Sequence, residues 1–267
     1  MTSEQTVSYH APGGRASHRA HPLLMQWLAT WNHTTWWRTT VTHAVMAAPR
    51  DGHALWPDLL QANFPLLDAT WNEVDYGPVT DRIVSLIMEV RFREAPWPLL
   101  PSAAGRLYWE YGGEDFLPHD ALPVIPEISA PATLAGVELL GQRWDLAAEY
   151  LETRHPRVLW YSNSGYAQGF THRGTVLGHP LGGAAEAWTA LVRWRPASGT
   201  AEWQLRGRTA AWAMAGRLPQ EARRQEITLT WRRLAGRGAW SLGAGWIGEE
   251  AGDRSAHWLQ AHLDRRF

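Results

Sequence analysis

The chain has 267 residues, a formal net charge of −1, no cysteine and 18 tryptophans. A balance this close to neutral sets up no global field for gathering nucleic acid, and without cysteine no disulfide is available. No apolar run reaches the length of about 18 residues that a membrane-crossing helix needs, a test that strands of about 9–11 alternating residues do not have to pass.

Residues 1–22 are rich in Ser, Thr, Gly and Pro and poor in apolar side chains, so they read as a disordered N-terminal segment, with residues 23–267 as the folded part. His10, His18 and His21 have no spacing that would build a metal site, and the opening residues lack the apolar centre of a signal peptide. A Trp- and Thr-rich run over 26–47 reads as one long strand, followed by a Pro-, Asp- and Gly-bearing loop to Asp81.

From 82 to 93 the alternation is clean. Val84, Leu86, Met88, Val90 and Phe92 fall on one face, with Ser85, Glu89, Arg91 and Arg93 opposite. Residues 104–115 set Leu107, Trp109 and Tyr111 against Arg106, Tyr108 and Glu110, and a Pro-punctuated loop follows. Paired strands are expected over 131–141 and 143–153, over 184–196 and 199–212, and over 225–233 and 239–248, with a last strand reaching the C-terminus.

That makes ten strands. Tight turns at 141–143, 196–200 and 235–238 alternate with longer connections at 47–81, 116–130, 154–183, 213–221 and 249–255, while 94–103 is intermediate. Short turns at one end and long loops at the other are the arrangement of an antiparallel up-and-down transmembrane β-barrel. A soluble β-sandwich is the alternative, since its strands alternate too.

Between two of these strands lies GYAQGFTHRGTVLGHPLGG, from Gly165 to Gly183, glycine-rich and without apolar period, and so a shaped loop. The strand end before it carries Glu149, Tyr150 and Thr153; the loop itself carries Gly169, Phe170, Arg173, Gly174, Leu177, Gly178, His179, Gly182 and Gly183. Together with LYWEYGGE over Leu107–Glu114, this pattern resembles the Wzi family of capsule-assembly outer-membrane proteins. The resemblance implies an outer-membrane barrel that holds capsular or extracellular polysaccharide without catalysis. Family barrels have eighteen strands, a signal peptide and periplasmic helices, so this chain corresponds to about the C-terminal ten strands. A monomer in contact with outer-membrane lipid is expected, with no cofactor.

Two sets of residues are candidates for the work. In the loop, Tyr166, Phe170, His172, Arg173 and His179 combine stacking surfaces with donors for hydroxyls and carboxylates, as polysaccharide binding requires; the alternative is that they fold the loop into its own plug. On the polar face of the strands, Glu89, Arg91, Arg106, Glu110, Glu149, Arg193, Arg206 and Arg208, with Arg195, Glu202 and Arg232, would line a lumen as a structural ladder of ion pairs or as a path for a polyanion. Two other classes of function compete: a porin-like passive channel, and a barrel enzyme acting on lipid. Ser162, Ser164 and His172 would have to supply the latter, but they form no nucleophile motif with an orienting carboxylate.

Overall fold

The computed structural model of the protein describes residues 4–11, 14–48, 79–93, 104–114, 116–118, 126–128, 130–155, 160, 171–172, 175–176, 179, 181, 183–212, 222–235, 238–251 and 254–266. Every regular element among them is a strand. Eleven form one antiparallel sheet: β1 (Leu23–Asn32), β2 (Trp37–Ala48), β3 (Val79–Phe92), β4 (Ala104–Glu114), β5 (Pro131–Leu140), β6 (Trp144–Glu152), β7 (Ala185–Trp194), β8 (Ala201–Trp212), β9 (Ala222–Ala235), β10 (Gly238–Ala251) and β11 (Arg254–Arg266). Each pairs with its neighbours in the chain, giving an up-and-down meander; among the described residues β1 and β11 pair on one side only.

The strand count differs from the ten expected because the run over 26–47 is a hairpin. A single strand of that length would extend about 70 Å, far more than an apolar bilayer core of about 30 Å. The fold is made at Thr34, whose hydroxyl oxygen accepts hydrogen bonds from the amides of Trp36 and Trp37 at 3.2 and 2.9 Å. A threonine that bonds the backbone two and three residues ahead offers the chain a turn in place of continued pairing. The expected loop at 249–255 is likewise replaced, because β10 runs to Ala251 and β11 starts at Arg254. Residues expected to be disordered at the N-terminus pair as a hairpin, Gln5–Ala11 with Gly14–Ala20. A second small hairpin, Phe116–Pro118 with Pro126–Ile128, stands outside the main sheet.

Strand alternation gives the sheet two unlike faces. In β3, Leu86 and Val90 point outward and are exposed, while Glu89 on the opposite face is 3% exposed. The same face of the sheet exposes Leu107, Val192, Leu205, Ile227, Leu229 and Leu242. A soluble sandwich buries its apolar face and wets its charged one; here the relation is inverted, as it is when the apolar face meets lipid. Aromatic residues edge this apolar surface in two rows. Trp144, Trp194, Trp203 and Trp231 are successive cross-strand partners on β6 to β9, near the end where β5–β6 and β7–β8 turn. Toward the other end Tyr150 packs on Trp188 at 4.6 Å between ring centres. Trp188 and Trp194 are six residues apart, about 20 Å of strand, the scale of a barrel's apolar band.

Three small apolar clusters lie toward the end where the longer connections run. Met46 and Ala48 pack on the inner face with Ala20, Leu24, Ala44 and Ile83, so the end of the N-terminal hairpin rests against the inside of the sheet. Val45 and Ala47, on the opposite face, pack with Leu23 and Met25. Leu151, Ala185, Ala187 and Ala210 form the third, again on the inner face.

Candidate functional site

The inward face carries charges in linked groups, because residues opposite one another on antiparallel strands share a face. At one side Glu89 receives three guanidinium groups, from Arg38 at 2.8 Å, Arg106 at 3.2 Å and Arg91. Arg106 also forks onto Glu138, with Nε and Nη2 both at 2.8 Å from its carboxylate oxygens. In the middle the Tyr108 hydroxyl donates to Glu149 at 2.7 Å. The Tyr108 ring lies where a β-carbon on Gly136, its partner on β5, would stand, so glycine is what lets the tyrosine cross the lumen wall.

Farther round, Asp145 takes Arg193 at 3.2 Å and both terminal nitrogens of Arg195 at 2.7 Å. Arg195 lies in the turn after β7, and these hydrogen bonds to the Asp145 carboxylate raise it above its ordinary value, so it remains a cation. Arg193 and Arg232 approach Glu202 at 3.5 and 3.8 Å. Glu226 holds Arg208 at 2.6 Å and Arg224, and Arg224 reaches Glu249 at 3.0 Å.

Of the inward charges picked out by alternation, Glu89, Arg91, Arg106, Glu149, Arg193 and Arg208 thus sit in contact groups. Glu110 and Arg206 share the face but make no ion pair among the described residues. Arg38, Glu138, Asp145, Glu226, Arg224 and Glu249 were missed. Arg38 was hidden in the run mistaken for one strand; the others were legible as inward positions once strand register was fixed.

The connection between β6 and β7 is fastened where it leaves and rejoins the sheet. At its feet the Thr153 amide donates to the Ala185 carbonyl at 2.8 Å, and the buried Thr153 hydroxyl accepts from the Ala185 amide at 3.0 Å. Arg154, just past β6, binds Glu152 and Glu186, one from each foot. Buried Trp160 donates from its indole nitrogen to the Ala130 carbonyl at 3.0 Å, tying the loop to the start of β5. Gly183 passes so close to the Trp160 backbone that a β-carbon would collide with it. Beside it Ala184 takes φ 59°, and Ala130 takes φ 47°. Both lie in the left-handed region that L-residues other than glycine and asparagine seldom occupy, which the surrounding contacts must hold.

The returning limb turns into the barrel mouth. His179 brings Nε2 to 3.7 Å from Glu149, and its Nδ1 accepts from the Leu181 amide at 3.3 Å. Leu181 packs on the inner cluster of Leu151, Ala185, Ala187 and Ala210, and its carbonyl accepts from the Trp212 indole at 3.1 Å. Glu149 is thereby the meeting point of the lumen wall, through Tyr108, and the loop, through His179.

His172 lies in a two-residue strand, Thr171–His172, paired with Thr175–Val176. The loop therefore contains a miniature hairpin where its glycine content suggested no strand at all. Tyr166, Phe170 and Arg173 lie outside the described residues. Of the five loop candidates, His179 is the one whose side-chain contacts are defined, and they run to the barrel wall.

Residues 97–252 match the family described as capsule assembly protein Wzi. A comparison with curated proteins finds none that matches. Among solved structures the chain is similar to Wzi of Escherichia coli, an outer-membrane protein involved in group 1 capsule assembly and described as a carbohydrate-binding β-barrel. The TM-score is 0.66 at 15% sequence identity, over 92% of this chain and 52% of that one. The chain spans about half the length of that structure, and at this identity the likeness establishes the fold, the antiparallel meander of an outer-membrane β-barrel. With the family match covering more than half of its residues, the chain belongs to the capsule assembly protein Wzi family.

Proposed function

We propose that this protein is a non-catalytic outer-membrane barrel that attaches or helps assemble capsular or extracellular polysaccharide at the cell surface. The end that carries the connections at 33–36, 141–143 and 195–200 faces the periplasm, and the β6–β7 loop lies outside the cell, at the end where the β10–β11 connection is the one short exception. One observation carries this reading beyond family membership. The connection is anchored at both feet and, on its returning limb, by His179, so the ends of a long glycine-rich segment are fixed to the barrel wall. A loop with tethered ends binds a flexible polymer with less loss of its own chain entropy than one free to swing away. Tyr166 and Phe170 are then the stacking surfaces, Arg173 the two-pronged donor to sugar carboxylates, and His172 a further hydrogen-bonding group.

Arg173→Lys tests the assignment, because lysine keeps the charge and loses the fork. The variant inserts normally but holds polysaccharide about tenfold less tightly, the equivalent of one charge-assisted hydrogen bond of about 1.5 kcal/mol, and the defect deepens as salt rises. Unchanged retention with an uncut loop removes Arg173 from the site and leaves Tyr166 and Phe170 as its core. The channel alternative is measured separately: liposomes containing the barrel pass little current if the loop fills the mouth, and a steady porin-like conductance overturns this reading.

A further inference from the structure

At the opposite end from the anchored loop, beside the turn at 33–36, lies a cavity of about 910 Å³. Its walls include Trp36, Phe92 and Leu140, and the guanidinium-bearing Arg91, Arg93 and Arg106 stand on it. Trp36 is half exposed. Its position is fixed by its carbonyl, which accepts from the Arg91 amide at 2.7 Å, and by its stack on Trp37, which in turn stacks on His33.

Among the described residues the charges here do not balance. Arg38, Arg91 and Arg106 share Glu89, and Arg106 also holds Glu138, so these three cations meet two carboxylates. Arg93 adds a fourth cation, exposed and without an ion pair among the described residues. Among the described residues the cluster thus has two more cations than anions, beside an aromatic wall of Trp36 and Phe92. Guanidinium groups that exceed their carboxylate partners attract an anion from solution, and a planar fork favours a carboxylate or phosphate oxygen pair. The aromatic wall asks in addition for a flat apolar face on the same ligand. A sugar ring bearing a carboxylate has both features. Arg91, Arg106 and Glu138 project from the inward face of the sheet, away from lipid, while Val90 and Phe92 line the cavity from the outward face; with its cations on the inward side, the site favours a water-borne glycan over a lipid headgroup.

We propose that this short-turn mouth is a second saccharide site, selective for hexuronate residues of an acidic glycan, with the ring on Trp36 and the carboxylate on Arg91 and Arg93. The proposal rests on the polysaccharide reading for the choice of ligand, but it concerns a different site at the other end of the barrel.

The test is calorimetric titration of the full chain, refolded in detergent, with tetragalacturonate and with neutral maltotetraose. Tetragalacturonate binds and maltotetraose does not. Arg93→Glu and Trp36→Ala each weaken tetragalacturonate binding tenfold or more, with the thermal unfolding curve unchanged. Replacing 166–178 by a Gly/Ser linker leaves that binding in place.

If the linker variant loses tetragalacturonate binding while Arg93→Glu keeps it, the mouth site is wrong and the loop reading stands. If Arg93→Glu and Trp36→Ala abolish tetragalacturonate binding but leave retention of the extracellular polysaccharide intact, the mouth site is confirmed independently of the loop. Equal binding of maltotetraose overturns the selectivity for carboxylates. Binding of phosphatidylglycerol micelles that Arg93→Glu abolishes, with tetragalacturonate unaffected, overturns the glycan in favour of a lipid headgroup.

Discussion

At the scale of single residues, Glu89 decides more of the lumen than any other side chain. It is 3% exposed and is the shared acceptor of Arg38, Arg91 and Arg106. Glu89→Gln keeps the shape and removes the charge, leaving three neighbouring guanidiniums with, among the described residues, the Glu138 carboxylate alone between them. The guanidiniums left behind are each more than a third exposed and can be solvated, so the cost is that of the lost charge-assisted hydrogen bonds, about 1.5–3 kcal/mol, below that of stranding a buried charge. A shift of that size to lower denaturant in the unfolding midpoint is expected, and Glu202→Gln, whose contacts are longer at 3.5 and 3.8 Å, shifts it much less. Thr153 plays the corresponding part for the loop. Thr153→Val preserves the branched shape but removes the acceptor of the buried Ala185 amide. The expected cost is about 1–3 kcal/mol, read as cleavage of the loop by added protease in a barrel that still resists heat.

Elements show what sequence could and could not convey. Inward and outward positions of β3, β4, β6 and β7 were legible because each alternates apolar and charged residues through its length, and register with a neighbour follows from that pattern. The hairpin of β1 and β2 was not, since Thr, Trp and His suit both strand and turn. The turn depends on one hydroxyl satisfying two amides, a contact that composition does not reveal. The N-terminal hairpin was missed for a related reason: its strands are too polar to signal a buried face, and ordering comes from pairing and from Ala20 packing inside the sheet.

Within the loop, sequence marked His179 as a candidate and could not show that it folds back onto Glu149. His179→Ala therefore separates two roles. Loss of the contact frees the returning limb and makes residues 160–183 protease-sensitive, while Glu149 keeps its hydrogen bond from Tyr108 and the barrel unfolds at an almost unchanged midpoint. An uncut loop in this variant would mean that the feet at Thr153 and Trp160 suffice to hold it.

For the whole molecule the governing fact is the inversion of its faces, apolar outside and charged within. Edge strands in lipid cannot leave backbone groups unpaired, so insertion requires that β1 and β11 be paired on both sides. The inversion can be measured at neighbouring positions of one strand. Leu229 lies near the middle of β9, outward and exposed, and pairs with Leu205 and Ala244; Thr228, the residue before it, faces inward between Arg206 and Gly245. An arginine at mid-depth on the lipid face of a barrel costs about 2–4 kcal/mol, whereas the lumen stays wet or ion-paired and accepts polar change. Leu229→Arg should therefore lower folding stability in lipid vesicles by about that amount. Thr228→Arg, which adds a cation beside Arg206, itself without an ion pair among the described residues, should cost less because water can solvate both. In detergent-free buffer the order would say nothing, since both faces are wet; in vesicles a larger penalty for Thr228→Arg than for Leu229→Arg would mean that the lipid and lumen faces are assigned the wrong way round.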